Sequence, residues 1–142
     1  MILVTLLALR TLAMAARRSE YGTLHISAVE SKPAYINLVI EKDTVFASDV
    51  ASIFRYGGSS SLVSLSSKKH VTVNEKGKLV MSGKPETGFV LHASEVSGGR
   101  RILSYNGEQV FQLCSDHSIG FKSNCGGAQD VRISYYDFSS SS

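Results

Sequence analysis

The chain has 142 residues, 43% of them hydrophobic, enough for one domain with a packed core and too few for two. Three of its 15 Lys and Arg residues (Arg10, Arg17 and Arg18) fall in the first eighteen positions, and the remainder balances at 12 basic against 12 acidic. A nucleic-acid binder needs a surplus of cations to displace phosphate counterions, so that class is excluded for the part after Arg18.

Residues Ile2 to Leu9 form an apolar run, followed by small residues at Ala13, Ala15 and Ala16. This order is that of a signal peptide ending in an Ala-x-Ala cleavage site, and the run is too short for a membrane-spanning helix. Arg17-Arg18 follows at once and reads as a dibasic processing site. The expected organisation is a leader over 1–18, a domain over 19–137 and a serine tail over 138–142.

After residue 20 the pattern is alternation broken by turn residues, which predicts strands. Leu24 and Ile26 alternate with Thr23, His25 and Ser27, and Ile36, Leu38 and Ile40 share one face of the next run. Val71 and Val73 lead into Asn74-Glu75-Lys76-Gly77, after which Leu79 and Met81 resume the pattern. Asn106-Gly107 predicts a hairpin between Ile102–Tyr105 and Val110–Leu113, because this pair tolerates the positive φ angles of a type I′ turn. Val131, Ile133 and Tyr135 form a closing strand.

A weak repeat runs through these segments. Leu38-Val39-Ile40 to Phe54, Val71-Thr72-Val73 to Phe89, and Leu103-Ser104-Tyr105 to Phe121 each read as strand, turn, strand, loop and aromatic strand. The expected fold is all-β and β-trefoil-like, with Phe54, Phe89 and Phe121 in equivalent places. A Greek-key β-sandwich is the alternative.

Cys114 and Cys125 both follow the leader, and an even count in a secreted chain predicts a disulfide. His117 between them raises a zinc reading, but no further His or Cys is near enough in sequence to complete four ligands. No metal and no cofactor are expected. The acids Asp43, Glu75, Glu86, Glu108 and Asp116 stand singly in turns, and His25, His70 and His92 fall on polar phases or strand starts, where exposure is expected. Gly57-Gly58-Ser59-Ser60-Ser61 lacks the Gly-Lys-Ser/Thr ending of a phosphate loop. No Ser sits in a Gly-x-Ser-x-Gly elbow. The chain is therefore expected not to be an enzyme. Tyr56, Tyr105, Tyr135 and Tyr136 are the candidates for stacking against sugar rings. Ser139, Ser140, Ser141 and Ser142 are candidate O-glycosylation sites in an expected disordered tail. None of the four Asn residues begins an Asn-x-Ser/Thr sequon, and no apolar tail signals a lipid anchor.

Tyr21-Gly22-Thr23-Leu24-His25-Ile26-Ser27, Tyr35-Ile36-Asn37-Leu38, Asn74-Glu75-Lys76-Gly77-Lys78-Leu79, Thr87-Gly88-Phe89-Val90-Leu91 and the Cys114 to Cys125 stretch before Val131 form a set. That set resembles the small fungal cell-wall mannoproteins, including the phialide cell-wall protein group. The resemblance implies a secreted, O-mannosylated, non-catalytic constituent of the wall or cell surface, associated with glucan and without a membrane anchor. Some members carry a long Ser/Thr stalk and an anchor tail that this sequence lacks, so covalent attachment, loose association and free secretion all stay open. Two other functions fit the same residues: a lectin-like carbohydrate-binding module, and a secreted effector or inhibitor that binds a protein.

Overall fold

The computed structural model describes residues 21–57, 61–93 and 100–138. The expected leader with Ala15, Ala16, Arg17 and Arg18, and the tail Ser139 to Ser142, lie outside the described residues. Among the described residues there are twelve strands and no helix: β1 (Tyr21–Val29), β2 (Lys32–Glu41), β3 (Thr44–Ser48), β4 (Ile53–Gly57), β5 (Ser61–Ser64), β6 (His70–Val73), β7 (Leu79–Ser82), β8 (Phe89–Ala93), β9 (Arg100–Tyr105), β10 (Phe111–Leu113), β11 (Ile119–Gly120) and β12 (Gln129–Asp137).

All pairings are antiparallel and join the strands into one hydrogen-bonded network. Seven strands close a ring, running β1, β2, β3, β7, β6, β5, β4 and back to β1. A barrel of this kind leaves few free edges, which removes the usual site of strand-to-strand aggregation. On the other side β12 pairs with β1, β9 and β10, and β8 pairs with β9. Three tight hairpins, β2–β3, β6–β7 and β10–β11, meet one another through Thr44↔Val80, Lys78↔Gly120 and Phe46↔Ser118.

Local chemistry explains the turns. Lys42 and Asp43 both adopt positive φ (51° and 61°) between β2 and β3, the backbone of a primed two-residue turn. Asn74 Oδ1 accepts from Lys76 N and Lys78 N, and Gly77 at φ 78° completes the β6–β7 turn. Gly77 is required twice over, since a Cβ there would also stand 2.8 Å from the Phe121 carbonyl oxygen.

Alternation then fills the interior. Leu24, Ile26, Leu38, Phe54, Leu62, Phe89, Leu103, Phe111, Ile133 and Tyr135 are all buried in one core. The expected disulfide is present. Cys114, after β10, and Cys125, before β12, are joined with their Cα atoms 5.7 Å apart.

Two expectations are corrected. Asn106 and Gly107 do make the tight turn (φ 50° and 85°), closed by reciprocal Tyr105–Glu108 backbone hydrogen bonds. Pairing stops there, however: β9 runs with β8 and β12, while β10 runs with β11 and β12. The hairpin of the third segment is β10–β11, so the repeat assigned from Leu103 is out of phase. As a result Phe121 does not match Phe54 and Phe89. It follows β11 and extends the Leu113↔Ile119 register, taking the place that Met81 has opposite Val71 in the β6–β7 hairpin.

Candidate functional site

The four tyrosines singled out in the sequence have different fates. Tyr135 is fully buried, donates its hydroxyl to the Phe54 carbonyl oxygen at 3.2 Å, and lies under the Arg101 guanidinium. Tyr56 is half-buried and donates to the Phe89 carbonyl oxygen at 3.1 Å, bridging β4 to β8. Tyr105 is half-buried between the rings of Phe89 and Phe121, at centroid distances of 4.5 and 5.0 Å. Burial and the neighbouring Glu86 carboxylate raise its pKa. All three pack into or against the core. Tyr136 alone of the four presents a large exposed face, at 47%.

Tyr136 has company that the sequence reading did not name. On β1 the inward phase is Leu24 and Ile26, so Thr23, His25 and Ser27 point outward. Thr23 pairs with Tyr136 and His25 with Ser134 on β12, while His25 faces Asn37 on β2. Arg100 on β9 pairs with Tyr136 from the far side. Tyr35, two residues before Asn37 and on the same outward phase of β2, lies over His25. The two rings are stacked at 4.2 Å and 21°, and Tyr35 is 62% exposed. The Tyr136 ring stands 6.4 Å from the imidazole.

Two exposed phenol rings thus flank one imidazole across three adjacent strands, spanning about 9–10 Å at two interstrand spacings. His25 itself is buried to 1%, against the exposure expected from its polar phase, because neighbours on both sides cover it. Among the described residues, its Nδ1 and the Arg100 Nε are buried without a hydrogen-bond partner. Burial first, and Arg100 second, lower the His25 pKa and so favour the uncharged ring. The signal for Tyr35 was present in the sequence as an aromatic on the polar phase of a strand. The signal for its stacking partner was not.

Groups that could do covalent chemistry are otherwise engaged. Ser61 Oγ meets His70 Nδ1 at 2.8 Å and Ser104 Oγ meets His92 Nε2 at 2.8 Å, but both serines are 1% exposed. These hydrogen bonds join neighbouring strands, with the serines buried, His70 half-buried and His92 exposed. Glu86 accepts from Thr72 Oγ1 and Gly88 N, and Asp43 pairs with Lys69. Asp116 accepts from the Ser118 hydroxyl and backbone N–H, which lower its pKa, with Lys78 nearby. A concavity of about 370 Å³ lies against Lys76, Lys78 and Lys122. Its charge is offset, because Lys78 is paired to Asp116, Lys122 to Glu108, and Glu75 shares the wall. No three His, Cys, Asp or Glu side chains gather into a metal site among the described residues.

No family model, curated protein or solved structure matches the chain.

Proposed function

We propose that this is a secreted, non-catalytic domain of the cell wall or cell surface that contacts wall polysaccharide, such as glucan, through Tyr35 and Tyr136. The observation that carries the reading is the pair of exposed rings on one sheet face. A pyranose offers an apolar C–H face to such rings and hydroxyls to their polar tips, and tyrosine supplies both at low conformational cost. Thr23 and Asn37, both half-buried, provide outward polar groups beside them. The platform stands on paired strands rather than on a loop, which suits contact with a repeating chain that needs no enclosing cleft. The buried hydroxyls of Ser61 and Ser104 and the singly held acids favour binding over turnover.

The architecture that we propose for this domain is a β-trefoil. The three mutually bridged hairpins support it, as do the pairings among β12, β1, β4 and β5 and among β8, β9 and β12, with β5 lying against β8. The disulfide favours an oxidising, extracellular setting.

Retention of purified protein on insoluble glucan, chitin and mannan tests the binding. Tyr136→Ala and Tyr35→Ala should each weaken it by about tenfold, the scale of a central aromatic contact. Retention equal to wild type in both variants would overturn the site. Release of the native protein from walls by hot detergent, rather than only by glucanase or alkali, is the outcome expected for loose association.

A further inference from the structure

We infer that His25 is a positioning residue for this face: neutral, it holds Tyr35 flat as a binding platform, and on taking up a proton it lets Tyr35 go. The inference rests on the polysaccharide reading for its consequence and on the geometry of the rings for its mechanism.

Tyr35 stands mostly in water. With 62% of its surface in water, its packing partner is the imidazole beneath it, in near-parallel contact at 4.2 Å. The imidazole is fixed from the other side by strand pairing to both β2 and β12. Its environment suits an uncharged ring only. Arg100 on β9 already places a positive charge beside it, and Nδ1 has no acceptor to stabilise a proton. The titratable groups that face it are Tyr35 from β2, Tyr136 from β12 and Arg100 from β9, and none is a carboxylate. Lys32 and Glu41 stand at the two ends of β2. Asp137, the carboxylate at the end of β12, is committed to Arg101 at 3.0 Å, and Arg101 packs over the inward Tyr135.

Proton uptake therefore puts two cations side by side in a site from which water is excluded. Stacking against the Tyr35 face offsets part of that cost, since an imidazolium is drawn to a π-system. Burial and the guanidinium oppose it, and both lower the His25 pKa. The charged ring gains most by reaching water, and the side chain in its way is Tyr35. Acid thus removes one of the two rings of the platform, and binding weakens with it.

Two readouts on the full chain test this. The first is an NMR titration of the unliganded protein from about pH 8 downward, following the His25 imidazole and Tyr35 ring protons. The second is retention on insoluble glucan over the same range, for wild type and His25→Phe, a variant that keeps a ring beneath Tyr35 but cannot take a proton. The expected result is that the Tyr35 signals move together with His25. Wild-type retention should fall at least about fivefold across that step, the lower end of coupled equilibria, and the ratio should shrink to about one in His25→Phe. Tyr35 signals that ignore the His25 titration, or a His25→Phe variant as acid-sensitive as wild type, would overturn the inference. Coupled His25 and Tyr35 signals in a protein that binds no polysaccharide at any pH would uphold the ring release and reject the polysaccharide reading.

Discussion

At the scale of single residues, His25 carries a second consequence, for stability. Its pKa in the folded protein lies below the ordinary 6.5, chiefly through burial and then through Arg100. The unfolded chain therefore takes up a proton as the pH falls past 6.5, while the folded chain still resists it. Stability rises with pH through that window, is complete above 6.5, and is lost progressively below it until the folded group also titrates. Thermal melts across this range should show a Tm that falls with acid in wild type and falls less in His25→Phe. Gly22 makes the opposite kind of point. A Cβ there would sit 2.8 Å from the Tyr135 ring and closer still to the Tyr136 carbonyl oxygen. Gly22→Ala should destabilise the fold by about 1–3 kcal/mol, the usual cost of overpacking, measured by chemical denaturation. It should also disturb Tyr136, because the crowded carbonyl belongs to that residue.

At the scale of elements, the strands were legible and the third repeat was misread. Leu24/Ile26, Val71/Val73 and Val131/Ile133/Tyr135 alternate in the sequence as they do in the core. Asn74-Glu75-Lys76-Gly77 makes the turn its residues predict. Asn106-Gly107 also turns as its chemistry requires, yet the strand after it leaves for β11 and β12. A turn fixes the angle between two segments over one bridge. How far they pair depends on which other strands compete for their backbone groups. The three phenylalanines record the same shift. Phe54 and Phe89 begin their work at matching points of β4 and β8, both fully buried, and truncation to Ala should cost about 3–5 kcal/mol each. Phe121, at 8% exposure and under the Lys122 ammonium, sits at a hairpin end. Phe121→Ala should cost less than either. Equal losses in all three, by urea denaturation, would contradict the register.

At the scale of the whole molecule, the segment from β10 to β12 is the most heavily fastened. Gln112 brackets Ser123 with two hydrogen bonds, Ser123 Oγ donates to the Lys76 carbonyl oxygen, and Phe121 N donates to the Gly77 carbonyl oxygen. The Cys114–Cys125 bond closes the same loop. Replacing both cysteines with Ser should cost about 3 kcal/mol in the chain-entropy account, read from equilibrium unfolding of oxidised wild type against the variant. Purified protein should release no reducing sugar from glucan or chitin and no peptide from casein above a boiled control. Activity abolished by one Asp or Glu substitution would show a catalytic site instead.

The sequence by itself determined the all-β class, the turns at Asn74–Gly77 and Asn106–Gly107, the inward and outward phase of β1, β2, β6, β7 and β12, and the disulfide. These are local properties, set by side-chain period and by which residues tolerate positive φ. Only the tertiary structure decided which outward residues stay exposed. His25 and Tyr136 share a polar phase with many others. His25 became buried because Tyr35 arrives from β2 and Tyr136 from the last strand, over a hundred residues away. Tyr135 and Tyr136 are neighbours in the chain, and the pleat sends one into the core and the other to water. Burial is a property of what lies across the sheet, and that is fixed by strand order, which no single segment encodes.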